Sequence, residues 1–136
     1  MTEPNTRGEV TIDLDATYVL RPSFAAIMAA EKATGKSLIQ LHDEAATGAM
    51  SHETAGLIVC EMIKAWGREY REGDDVAQRD AASSNAKRVT ELVYGAGLFA
   101  VSARLVIVLR GAVTGGVTSS GEWKQPANKA QTPAAG

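Results

Sequence analysis

The apolar residues of this chain change their spacing once, between Leu20 and Pro22, and that change separates a strand-forming start from a helical remainder. Val10, Ile12 and Leu14 alternate with Thr11, Asp13 and Asp15, and Tyr18 and Leu20 repeat the alternation with Thr17 and Val19 opposite. A period of two places alternate side chains on one face of a pleated strand. Asp15 and Ala16 lie between the two runs, so the segment predicts a tight hairpin, although the usual Asn-Gly or Asp-Gly pair is missing. Two strands alone are marginal in water, so the hairpin must rest on the helical remainder of the chain.

From Pro22 onward the spacing becomes three and four residues, punctuated by Gly and Ser. Pro22 has the fixed φ of a first helical turn, Phe24, Ile27 and Met28 follow at helical spacing, and Gly35 offers a left-handed cap. Ser37 with Gln40 makes a capping-box pattern, and Leu38, Leu41 and Ala45 form a short stripe ended by Gly48. Ser51 and Glu53 suit the start of a third helix, along which Ala55, Ile58, Val59, Met62 and Trp66 form the widest stripe. Gly73 to Ser84 reads as a polar connection with room for an extra helical turn. A fourth helix is expected over about 84–94, with Ala86, Val89, Leu92 and Val93 inward, broken by Gly95 and Gly97. In the last apolar segment, Leu98 to Val113, Val106, Ile107 and Val108 favour a strand by propensity. Its length, with the solvated-looking Ser102, Arg104 and Arg110 along it, decides for a helix.

Only seven of the 136 residues are aromatic, so the core has to be built from Ala, Val, Leu, Ile and Met, a composition that leans helical. The expected fold class is mainly α, α+β by strict count: an N-terminal β-hairpin, four to five short helices and a disordered C-terminal tail. Residues 1–8 hold nothing apolar after Met1 and read as a flexible arm, 9–113 as one domain, and 114–136 as the tail. That tail has only Val117 and Trp123 as sizeable apolar groups to offset the entropy of ordering it.

Fourteen basic against sixteen acidic residues leave a net charge of -2, the wrong sign for a protein that binds by neutralising phosphates. No nucleic-acid partner is expected. A lone cysteine, Cys60, excludes an internal disulfide and a cysteine-rich zinc site. Neither a secretion signal nor a run long enough to span a membrane is present, so the expectation is a soluble cytoplasmic protein without a membrane partner.

Three patterns carry the residue types of active or metal sites. His42-Asp43-Glu44 and His52-Glu53 hold ligand types without two histidines on one helical turn, and they read as helix-end surface residues. Gly95-Ala96-Gly97-Leu98-Phe99-Ala100 matches G-x-G-x-x-A, but the first acid downstream is Glu122 and no further strands follow, so a helix break is the simpler reading. The pairs Asp13/Asp15, Glu69/Glu72 and Asp74/Asp75 sit in polar runs, with Arg68 and Arg71 close to the later two. No enzyme, cofactor or metal is expected from them.

The string Leu20-Arg21-Pro22-Ser23-Phe24, followed by Glu31, Thr34, Gly35 and Leu38 and later by Gly97 and its apolar segment, resembles the tail-assembly proteins of gene transfer agents and related tailed phages. The resemblance covers about residues 8–115, and the longer polar stretch from Glu69 to Ser84 departs from it. It implies a tail assembly chaperone that accompanies the tape measure protein and helps tail tube proteins polymerise around it in the host cytoplasm. Self-association is a further expectation. Met28, Met50 and Met62 fit either ordinary core or adaptable partner contacts, core being the commoner role. Trp123, in a segment with no core of its own, is the candidate partner-binding residue. The rivals are a structural minor tail or tube-associated protein kept in the virion, for which one hairpin offers little strand, and a small helical DNA-binding regulator, disfavoured by the charge.

Overall fold

The computed structural model describes residues 10–69, 80, 81, 83–121 and 124. The arm at 1–8, most of the connection between 73 and 84, Trp123 and the last twelve positions of the tail lie outside them. β1 (Val10–Asp13) and β2 (Thr17–Leu20) form an antiparallel hairpin with Val10 opposite Leu20 and Ile12 opposite Tyr18. Five helices follow among the described residues: α1 (Phe24–Thr34), α2 (Leu38–Thr47), α3 (His52–Glu69), α4 (Ala86–Ala96) and α5 (Leu98–Val113). The mainly helical fold with an N-terminal hairpin is the one that the change of period predicts.

Local capping sets the boundaries. Ser23, not Pro22, opens α1: its Oγ accepts from the Ala26 N–H at 3.1 Å, and Pro22 stands outside the helix. Gly35 and Gly48 close α1 and α2 in the left-handed region, at φ 71° and 80°. Only half of the expected capping box forms at α2. Ser37 Oγ accepts from Gln40 N–H, but the Gln40 side chain donates to Glu44 at 3.3 Å. Separately, the Leu38 N–H is taken by the carboxylate of Glu31 at 2.8 Å, so α1 supplies a cap to α2. Asn85 caps α4, which starts at Ala86 and not at about 84, and the helix runs through Gly95 to Ala96 before Gly97, at φ 102°, turns the chain by 113° into α5. Tertiary packing holds Gly95 helical despite its poor intrinsic propensity, because Val93 and Val89 of the same helix are buried.

α3 is the central element, packed against α1, α4, α5 and β2, while α2 lies on α5. The core is aliphatic: Leu20, Leu41, Ile58, Met62, Ile63, Leu105 and Leu109 are fully buried. Met50 and Met62 belong to it, whereas Met28 is half exposed at the surface of α1. α3 and α4 approach so closely at Gly56 that an added Cβ would stand 2.0 Å from Thr90 Oγ1 and 2.8 Å from Thr90 Cα. Trp66 is only half-buried, packed on the core edge and not enclosed by it.

The packing does not stop at Val113, the expected end of the domain. Residues 114–121 return to the β2–α1 junction: Phe24 N–H donates to Ser119 O at 2.8 Å and Arg21 Nε to Ser120 O at 2.8 Å. Gly121 is buried there at φ 91°, and an added Cβ would stand 3.0 Å from both Arg21 Cγ and the Ser23 backbone nitrogen. Backbone hydrogen bonds hold this strap where its side chains are too small to do so.

Candidate binding groove

Among the described residues, the hairpin leaves one edge of its sheet open. Leu14 N–H donates to Ala16 O at 2.9 Å across the turn, which makes Asp13 and Thr17 a non-hydrogen-bonded pair. Pairing alternates along the ladder, so Thr11 and Val19 are non-hydrogen-bonded as well, and their N–H and C=O groups point away from the partner strand. Two other contacts agree. Thr11 O, on the β1 side, accepts from Arg104 Nε at 2.9 Å, and Arg21 N–H, in phase with Val19, reaches Met62 O of α3 at 3.3 Å. On the β2 side the backbone groups of Thr17 and Val19 have no hydrogen-bond partner among the described residues.

That edge forms one wall of a cavity of about 470 Å³ between β2, α3, α4 and the residues just before α4, Asp80, Ala81, Ser83, Ser84 and Asn85. Ile63 and Trp66 contribute the α3 wall, and Val89 and Leu92 the α4 wall. The size falls within the usual span of small-ligand pockets, roughly 300–1,000 Å³. Across the hairpin end of the groove, Arg88 of α4 donates to Asp15 Oδ2 at 3.0 Å and Tyr18 OH to Asp15 Oδ1 at 2.6 Å. The Tyr18 hydrogen bond, helped by the Arg88 charge, holds the Asp15 carboxyl below its ordinary range, and the same bond holds the Tyr18 phenol above its own.

A second, shallower groove of about 380 Å³ runs between α2 and α5, lined by Ala46, Gly48, Phe99, Ala103, Val106 and Arg110. Phe99 is 86% exposed beside it. Phe24, Ile39 and Tyr94 are also large apolar side chains more than 60% exposed. Scattered exposed apolar residues are normal, but four of this size on a chain with so few aromatics leave substantial uncovered surface.

The residues singled out in the sequence are not gathered into one site. His42 leans on Asp43 with Nδ1 at 3.2 Å, and its Nε2 is buried without a partner among the described residues, so it is more enclosed than a helix-end surface residue. His52 instead faces the Tyr94 ring at 5.4 Å. No group of three His, Cys, Asp or Glu converges among the described residues. Asp13 accepts from Thr17 Oγ1 and Asp15 from Tyr18 and Arg88, while Glu72, Asp74, Asp75 and Trp123 lie outside the described residues. Cys60 is buried, donating to Ser84 O at 3.6 Å, and desolvation raises its thiol pKa. The open β2 edge was within reach of sequence reasoning, since a sheet of two strands is all edge. The Arg88 to Asp15 contact was not, because 73 positions separate the two residues.

No family model matches this chain, and no curated protein or solved structure matches it either. Among the described residues no single helix is long and apolar enough to cross a membrane.

Proposed function

We propose that this chain is a tail assembly chaperone of a tailed phage or gene transfer agent, acting without catalysis in the host cytoplasm. It binds the tape measure protein and helps tail tube subunits assemble around it. The reading starts from the resemblance carried by Leu20-Arg21-Pro22-Ser23-Phe24 and by Glu31, Gly35 and Leu38. The structural observation that supports it most is Phe99, exposed beside the apolar α2–α5 groove of a helical domain. Such a surface suits the apolar face of a long helical partner, whose anchors recur at three and four residues.

Co-expression with the tape measure protein tests this directly. The chaperone keeps that partner soluble by covering its apolar surface, and Phe99→Asp, which leaves the core untouched, weakens the effect. Finished tails then contain little of this chain, since tube subunits displace it. Quantitative mass spectrometry of purified particles that found it at a copy number near that of the tube subunit would instead favour the structural virion reading.

A further inference from the structure

We infer that the open edge of β2 receives an extended peptide segment, which adds a third strand to the sheet within the groove between β2, α3 and α4. The backbone decides the occupant. Thr17 and Val19 together present two N–H and two C=O groups to the groove, and no described residue satisfies them. A helix cannot do so, because its own backbone groups are bonded internally. An extended segment offers donors and acceptors at the same repeat, and main-chain bonding to a sheet edge is an established route of peptide recognition.

The surroundings fix the register and the composition of that segment. Arg21 N–H is already bonded to Met62 O, so the added strand pairs along Thr17 to Val19 and ends before Arg21. Its inner side meets Ile63, Trp66, Val89 and Leu92, which selects apolar residues at alternate positions. Near the turn the segment passes the Asp15–Arg88 pair, whose charges offset one another, while Asp80 in the same lining adds one negative charge. A second copy of this chain offers the same strand, but each copy carries its own α3 and α4 alongside that edge.

The test uses the full chain and a soluble synthetic peptide of alternating Val and Thr with a Lys at each end. On titration, amide exchange at Thr17 and Val19 slows while exchange at Thr11 does not change. Two further peptides carry backbone N-methyl groups, one on its Val residues and the other on its Thr residues. One of the two loses about tenfold in affinity, the order expected for two lost backbone hydrogen bonds, and the other binds like the parent. Apolar burial alone produces no such alternation. Thr17→Pro, at an exposed position whose N–H points outward, removes one protein donor and weakens binding of the parent peptide about threefold, the share of a single hydrogen bond. Absence of binding overturns the inference, as does equal binding by both methylated peptides. Equal competition by a helix-forming Leu/Ala/Lys peptide also overturns it, and a concentration-dependent dimer abolished by Thr17→Pro would assign the edge to self-association instead. None of these readouts involves the tape measure protein, so the chaperone reading stands or falls separately.

Discussion

Arg21 Nε donates to the backbone carbonyl of Ser120 at 2.8 Å, joining positions 99 residues apart. Arg21 is 4% exposed, and this bond together with Phe24 N–H to Ser119 O ties the strap to the start of α1. Ending the chain after Val113 removes both acceptors, one of them from a buried guanidinium. The expected loss is roughly 2–4 kcal/mol, one neutral and one charged hydrogen bond. Thermal unfolding of chains ending at Val113 and at Lys124 measures it: the first melts several degrees lower, and equal midpoints would show that the strap is not part of the folded unit.

Gly56→Ala tests the closest helix contact. An added Cβ meets Thr90 Cα as well as its Oγ1, so rotating the Thr90 side chain does not relieve the clash and α4 must shift. The higher helix propensity of Ala adds up to about 1 kcal/mol in the opposite direction, while overpacking costs about 1–3 kcal/mol or more. A net loss of stability in denaturant unfolding is expected. Combining it with Thr90→Gly restores part of that loss, although the second glycine weakens α4 itself.

Trp66→Ala costs about 2 kcal/mol, less than the roughly 3–5 kcal/mol typical of a fully enclosed aromatic, because Trp66 is half-buried at the groove wall. Ile63→Ala, one turn earlier and fully buried, costs more than a half-exposed position of its size would, about 2–5 kcal/mol. Denaturant unfolding of the two variants makes the comparison. A Trp66→Ala loss of about 3–5 kcal/mol would mean that the groove closes over Trp66 in solution.

The Asp15 contact has a pH signature. Its folded-state pKa is depressed, so its contribution is present above the unfolded value of 3.8 and is lost as pH falls through the lower folded value. The Tyr18 phenol is raised, so its share holds below the ordinary value of 10.0 and is lost as pH rises through the higher folded one. Carboxyl carbon NMR should place the Asp15 midpoint below that of a free Asp. Tyr18→Phe moves it back further than Arg88→Ala does, since the hydrogen bond is the larger cause; the reverse order would show that the Arg88 charge dominates.

Element type was legible in the sequence wherever local spacing and capping decide it. The alternation from Val10 to Leu20 made the hairpin, the stripe from Ala55 to Trp66 made α3, and Ser37, Gly35 and Gly48 marked ends that a single side chain or a positive φ can set. These are short-range effects, fixed by neighbours within about one turn of helix or one strand pair. Contacts between distant segments were not legible. Gly95 stays helical because α4 packs on the core, and residues 114–121 dock although they bury little, because Phe24 and Arg21 supply donors that no composition reveals. The open edge of β2 belongs to both levels. A lone hairpin guarantees free backbone groups, and only the placement of α3 and α4 decides that they line a groove of a size to hold a third strand.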